Sequence, residues 1–328
     1  MEIYMIKVGL VGIGGMGFVH YNAYKALDGA KITCVADVRV DMAKEKVLGD
    51  DVRVYSSIDE LLATESVDMI DICTPSYMHT EMAIKALSAG CHVLCEKPMS
   101  ISSADTARVI EASRRAGKRF MTAHVVRFMA PYAYLKSVVD SGELGAPVHI
   151  DMKRLSAVPT WSWEDWMRDV SKSGGAPIDL SIHDIDFARY VFGEPARVGG
   201  THHPLRDNND VIVSNLAYDG FTVTVTGGWF AADIPFMAEY LAVFERGYVS
   251  LRNGVLVKNG ETVQLEVKAE RVSENTGINI PRADGYADEI EYFVGCLNGG
   301  TEPNIITPED SEATVKLVER ILESAIKI

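Results

Sequence analysis

The sequence predicts an α/β chain. A doubly wound parallel sheet is expected over residues 1–123, then an α+β domain with a large open, mostly antiparallel sheet over residues 124–328. Three observations carry that prediction. Strand-like apolar runs alternate with helical runs through residue 123. Gly12-Ile13-Gly14-Gly15-Met16-Gly17 sits between the first such strand and the first helix. Beyond residue 124 the alternation gives way to an irregular Trp-rich stretch, a long helix and short runs separated by turn residues.

In order, residues 8–11 form the first buried strand and 18–27 the first helix. The second strand, 31–36, ends at Asp37. A short third strand covers 52–55, and Ser57 caps a helix through Leu62. The fourth strand spans 68–73, and a helix over 77–89 stops at Gly90. Strand 91–95 follows, then helix 102–116 ending at Gly117, then strand 119–123. In the second half, helices are predicted over 130–141 and 178–192, and a strand over 148–155. Short strands fill residues 197–267, with Tyr218-Asp219-Gly220-Phe221 as a hairpin turn. Helices 287–297 and 309–326 close the chain. One face of so large an open sheet needs cover, and a partner subunit is a natural one.

The glycines of G-x-G-x-x-G each have a physical task. Gly12 permits a tight turn, Gly14 lets a pyrophosphate approach the backbone, and Gly17 lets the helix pack close to the strand. With Gly15 and Met16, the loop presents unpaired N–H groups and the positive end of a helix to phosphates. Asp37 stands where a Rossmann βαβ unit places an acid on the adenosine ribose, and it repels a 2′-phosphate. NAD is therefore the expected cofactor. Arg39, two residues on, keeps NADP open because it can pair with an extra phosphate. The competing reading is a plain βα turn without a nucleotide.

Further candidates follow the later strands. Thr74-Pro75, Glu96-Lys97-Pro98, and His124 with Arg127 are expected beside the glycine loop, at the carboxyl ends of the sheet. Lys97 suits donation to a substrate oxygen and stabilisation of a developing alkoxide. Its bland alternative is a solvated lysine paired with Glu96. If residues 178–192 are helical, Asp179 and His183 lie one turn apart on one face. His183 then suits a general base, with Asp179 orienting it or accepting a substrate hydroxyl, and Asp186 holding the ring. The alternative is a helix start that favours acids, plus an incidental histidine. Trp161, Trp163 and Trp166 either wall a sugar-like ligand or belong to the core or a subunit interface. Tyr77 and His79 begin a helix near the cofactor. His202-His203 with Asp207 and Asp210 reads as a strand and polar turn, so no metal is expected.

Bulk properties narrow the partners. A formal charge of −14 over 328 residues excludes a nucleic-acid or anionic-membrane partner as the expectation, because both demand a basic face. The five cysteines, Cys34, Cys73, Cys91, Cys95 and Cys296, contain no C-x-x-C and read as buried, inert thiols. Residues 1–4 carry no basic leader, and no apolar run approaches a membrane span, so a cytoplasmic location is expected.

Taken together, these residues resemble the glucose–fructose oxidoreductase/inositol dehydrogenase (Gfo/Idh/MocA) family over nearly the whole chain. The likeness rests on the Gly12–Gly17 loop, Thr74-Pro75 with His79, Glu96-Lys97-Pro98, Arg127-Phe128, and Asp179 with His183 and Asp186. It implies NAD(P)-dependent oxidation of a secondary alcohol on a cyclic polyol or sugar. By that likeness Lys97 binds the reacting hydroxyl, His183 takes its proton and Asp179 holds substrate and base. Arg127 and Trp166 become substrate contacts, while Thr74, Pro75, His79 and Glu96 join the cofactor's surroundings. Homodimers or homotetramers formed through the open sheet are also implied. Ala176-Pro177 and Ser181 depart from the family's G-G-G and D-x-G-x-H, and Leu180-Ser181-Ile182 is closer to the inositol-acting branch. Two other classes compete: an NAD-retaining glycosidase that works by transient oxidation, and a non-catalytic NAD-binding regulator.

Overall fold

The computed structural model describes residues 4–265 and 284–328. Two parts of the sequence reading, residues 1–3 of the expected leader-free start and residues 266–267 of the strand region, lie outside the described residues. The chain divides into two compact units. One comprises Met1–Val125 and Lys268–Glu312, the other Val126–Val267 and Ala313–Ile328.

The first unit alternates strand and helix as its hydrophobic pattern requires. Strands β1 (Ile6–Val11), β2 (Ala30–Ala36), β3 (Arg53–Tyr55), β4 (Met69–Ile72), β5 (His92–Glu96) and β6 (Phe120–Ala123) form one sheet in the order β3-β2-β1-β4-β5-β6. Every pairing is parallel. The order reverses between β1 and β4, so the crevice at their carboxyl ends is where such sheets bind ligands. Both faces are covered, and β4 is buried along its whole length. The connecting helices are α1 (Gly15–Lys25), α2 (Val40–Lys46), α3 (Ile58–Thr64), α4 (His79–Ser88) and α5 (Ser103–Ala116). Ser57 and Ser102 cap α3 and α5 by accepting the Glu60 and Asp105 N–H groups, each at 3.2 Å. Gly117 ends α5 in the left-handed region at φ 61°.

In the second unit, α6 (Ala130–Ser141) leads into β7 (Pro147–Ala157), the short α7 (Val170–Ser173) and α8 (Ile182–Phe192). Then come β8 (Arg197–Arg206), β9 (Asn209–Ala217), β10 (Thr222–Phe230), β11 (Met237–Phe244), β12 (Gly247–Arg252), β13 (Val255–Lys258) and β14 (Glu261–Thr262). With a final β15 (Ile326–Lys327) they make one sheet, ordered β14-β13-β12-β11-β7-β10-β9-β8-β15. Its pairings are antiparallel except β7 with β10 and β8 with β15. The hairpin turn is as the sequence predicts: Ala217 faces Thr222, and the Tyr218 N–H donates to Phe221 O at 3.0 Å. Burial alternates along β9 and β10, the mark of a sheet with one packed face.

Two expectations need correction. Residues 326–327 are a strand on β8, because the last helix stops at Ser324. The second domain is also interrupted. Helix α9 (Asp284–Gly299) belongs to the first unit and packs on α1. Asn298 donates to Gly29 O, and Arg119 and Arg114 pair with Glu302 and Glu309. The unit division falls inside α10 (Pro308–Ser324). Local sequence pattern predicts the helices but not which sheet they cover.

Candidate functional site

The glycine loop follows directly from β1. Gly12 has φ 85°, and a Cβ there would lie 2.7 Å from Cys73 O. At Gly17 a Cβ would lie 1.9 Å from Gly12 O, so the helix-to-loop approach admits no side chain. Gly14 is different: at φ −64° its nearest neighbour would be the Arg39 guanidinium, 3.5 Å away. Packing within the unit therefore explains Gly12 and Gly17 but not Gly14, which fits a backbone left bare for a phosphate group. Helix α1 begins on Gly14 with no side-chain cap, leaving its first N–H groups to a ligand. Thr74 Oγ1, next to Gly12, is buried with no hydrogen-bond partner among the described residues. These features fit a dinucleotide.

Asp37 ends β2, where it is almost fully buried. One carboxylate oxygen accepts Ile13 N–H at 3.0 Å, and the other accepts Arg39 N–H at 2.9 Å. The Arg39 side chain returns to the same carboxylate, with Nε at 3.2 Å. Lys46, which sequence reasoning missed, donates to Ile13 O and Gly14 O at 2.8 and 3.0 Å and so ties α2 to the loop. Burial, and then Arg39, lower its pKa from the ordinary lysine value.

Lys97 follows β5 and is partly exposed, at a cis peptide bond to Pro98. The turn is gripped from two sides. Glu96 accepts the Lys97 N–H at 2.9 Å through one oxygen and faces His20 Nε2 at 3.2 Å through the other. His79 Nδ1 and Nε2 lie 2.7 and 2.8 Å from Pro98 O and Thr74 O. Glu96 and His79 are buried, with their polar atoms engaged by the protein itself, so they brace the turn.

His20, on α1, is fully buried with Nδ1 2.9 Å from Asp71 Oδ2. Burial works against charging the ring, yet Asp71 beside it holds its pKa well above the usual histidine value. Burial also pushes the adjacent Cys73 thiol up, so it stays protonated. Glu289 of α9 completes the cluster. It is fully buried, and burial, then Glu96, raise its pKa. The available signal was a charged residue, Asp71, in the middle of the apolar strand Met-Ile-Asp-Ile.

In the second unit, residues 177–181 form one wide π-helical turn before α8. Such turns are rare and occur often at functional sites. Asp179 is buried on it, and His183 is partly exposed one residue inside α8. The approach to this turn is fixed by Asp210, which accepts the Ala176 N–H at 2.8 Å and pairs with His202 Nε2 at 2.9 Å. Ser181, where the family has glycine, fits because β10 offers Gly227. A Cβ at 227 would lie 1.9 Å from Ser181 Oγ.

Arg127 pairs with α8. Its guanidinium is buried, makes a two-pronged pair with Asp186 at 2.8 and 2.7 Å, and stacks 4.5 Å above the Tyr190 ring. It anchors α8. Thr314 bonds Asp186 as well, at 2.9 Å. Trp166 packs on a cluster of Val158, Met167, Ala176, Leu180 and Trp229, whereas Trp161 is exposed. Among the described residues, no helix is long and apolar enough to cross a membrane.

Comparison with known proteins follows this division. The family model described as "Oxidoreductase family, NAD-binding Rossmann fold" matches residues 6–124, and the GFO/IDH/MocA C-terminal domain matches residues 132–248. The chain is 34% identical to the myo-inositol 2-dehydrogenase of Thermotoga maritima, covering 95% of this chain and 94% of that protein. It is 27% identical to the scyllo-inositol 2-dehydrogenase (NAD(+)) of Bacillus subtilis, over 96% of this chain and 92% of that one. The crystal structure of myo-inositol 2-dehydrogenase from Lactobacillus plantarum has the same fold, with a TM-score of 0.79 at 21% identity, over 98% of this chain and 97% of that one.

Proposed function

Because the chain belongs to the Gfo/Idh/MocA family of oxidoreductases, we propose that it is an NAD-dependent dehydrogenase of a cyclic polyol or sugar, inositols favoured. The observation that carries the reading is the 34% identity with a myo-inositol 2-dehydrogenase over nearly the full length of both chains. NAD supplies the hydride acceptor, and the protein supplies position and proton handling. Lys97 donates to the reacting oxygen and stabilises the charge that develops there as its proton leaves. His183 takes that proton, and Asp179 orients the base and the substrate. Trp166, partly exposed beside Ala176 and Leu180, offers the substrate an apolar wall. The Asp37 carboxylate favours NAD over NADP, since a 2′-phosphate would meet its charge.

A second copy of the chain covers the open sheet face, which carries the partly exposed Val211, Val213, Thr224 and Thr226 and the exposed Leu241. The five free cysteines suit a reducing compartment, and we place the protein in the cytoplasm.

The test is a screen of inositols, aldoses and anhydrosugars with NAD and with NADP, read as absorbance at 340 nm. NADH formation with an inositol or related polyol is the expected result. If no polyol or sugar reduces either cofactor, the reading is wrong; cleavage of a chromogenic glycoside without net NADH would favour a glycosidase. Light scattering on the purified protein should give a dimer or larger, and a monomer would remove the sheet-face assembly.

A further inference from the structure

The buried ring of His20 has no task in the chemistry above, yet it joins two parts that the chemistry needs. His20 lies three residues after Gly17, in the first turns of the helix whose uncapped N-terminus would meet the dinucleotide phosphates under the proposed function. Its Nδ1 meets Asp71 on β4, and its Nε2 meets Glu96 at the end of β5. The second oxygen of Glu96 holds the Lys97 N–H. An unbroken line of hydrogen bonds thus runs from α1 through Glu96 to the Lys97 backbone. Both ring nitrogens face carboxylate oxygens, which accept. Two N–H donors are needed at once, and only the imidazolium has both.

We propose that His20 is a positioning residue for Lys97: a buried cationic strut that registers the lysine to the same helix that holds the dinucleotide. A misplacement of about 1 Å in a reacting group costs on the order of a hundredfold in rate, so a rigid reference between cofactor helix and lysine has kinetic value. Replacing His20 by a neutral side chain leaves Asp71 and Glu96 as neighbouring buried acids. One of them then takes a proton, and the grip on Lys97 weakens because a carboxylate is the stronger acceptor. On the other side of the turn, His79 packs between Pro98 O and Thr74 O, so loss of His20 loosens one jaw only.

The inference rests on the reading of Lys97 as the group that meets the substrate oxygen, and the experiment separates the two. Wild type, His20→Gln, Glu96→Gln, Lys97→Met and the double variants with Lys97→Met are compared for kcat, KM, NADH affinity by fluorescence, and thermal midpoint. His20→Gln and Glu96→Gln are expected to lower kcat by roughly ten- to a hundredfold while NADH affinity changes by less than about threefold. In the Lys97→Met background neither should lower kcat further, because a residue that acts through the lysine has nothing left to act on. Unchanged kcat in folded His20→Gln and Glu96→Gln proteins overturns the proposal. So does a loss that repeats in full in the double variants, which would mark a merely structural role. Should His20→Gln not fold, the Glu96→Gln cycle decides alone. Full activity in Lys97→Met would instead remove the reading of the lysine.

Discussion

Asp210 holds Ala176. The carboxylate, 1% exposed, accepts the Ala176 N–H at 2.8 Å and thereby fixes the chain three residues before Asp179. Removing it as Asp210→Ala leaves that N–H buried without its partner and frees His202. A loss of about 2–3 kcal/mol in urea unfolding is expected, with a fall in kcat at unchanged NADH affinity. Unchanged kcat in the folded variant would show that the turn keeps its shape unaided.

Gly175 faces the same carboxylate. At φ 69°, a Cβ there would lie 2.3 Å from Asp210 Oδ2. Gly175→Ala should cost roughly 2 kcal/mol or more, from left-handed strain and from displacement of the acid. Thermal unfolding beside wild type checks it.

Gly14 and Gly17 should separate binding from folding. Gly17→Ala places a methyl group 1.9 Å from Gly12 O, and low soluble yield or a large drop in thermal midpoint is expected. Gly14→Ala meets only the Arg39 guanidinium at 3.5 Å. It should fold normally and bind NADH at least about tenfold more weakly, because the methyl group intrudes where the pyrophosphate approaches. Equal NADH affinity in Gly14→Ala and wild type would contradict that placement.

Asp37 occupies Arg39 in this structure, and under the proposed function it sets cofactor choice by that pairing as well as by repelling a 2′-phosphate. Asp37→Ala removes the repulsion and frees the guanidinium. The ratio of kcat/KM for NAD over NADP should fall by about tenfold or more. A ratio that does not move would assign selectivity elsewhere.

Glu289 gives stability a defined pH dependence. It faces Glu96, Asp71, His20 and Tyr24, and its pKa lies well above 4.5, through burial first and then repulsion by Glu96. Above pH 4.5 the unfolded chain releases this proton while the folded chain keeps it. Stability contributed by the group is therefore complete below pH 4.5 and declines with rising pH, by about 1.4 kcal/mol per unit until the folded value is reached. His20, also raised, adds a decline of the same sign above 6.5. Glu289→Gln removes the first contribution only, so its stability relative to wild type should rise between pH 5 and pH 8 in urea titrations. A constant difference would mean that Glu289 is ionised in the folded protein.

Local signals made much of this legible in the sequence. The glycine loop and Gly117 act through their own backbone, Ser57 and Ser102 through hydroxyls that accept an N–H three residues on, and Asp37 through a carboxylate at the end of a readable strand. Less legible were the partners of Glu96, His79 and Arg127. Each meets a residue distant in sequence: His20, Pro98 and Asp186. The same limit hid α9, since its covering of α1 is a tertiary choice. The wide turn at 177–181 has no sequence signature, because its geometry comes from Asp210 on one side and the closeness of Gly227 on the other.

The late position of α9 has a consequence for how the chain is made. Translation delivers α1 and all six parallel strands first, and then β7 to β14, before it reaches residue 284. Throughout that interval the nascent polypeptide carries His20, Asp71 and Glu96 with no α9 behind them. The carboxyl of Glu289 is the last of the cluster to leave the ribosome. Chains released before that point leave the flank of α1 that α9 covers exposed, and incompletely packed intermediates of this kind are prone to aggregate.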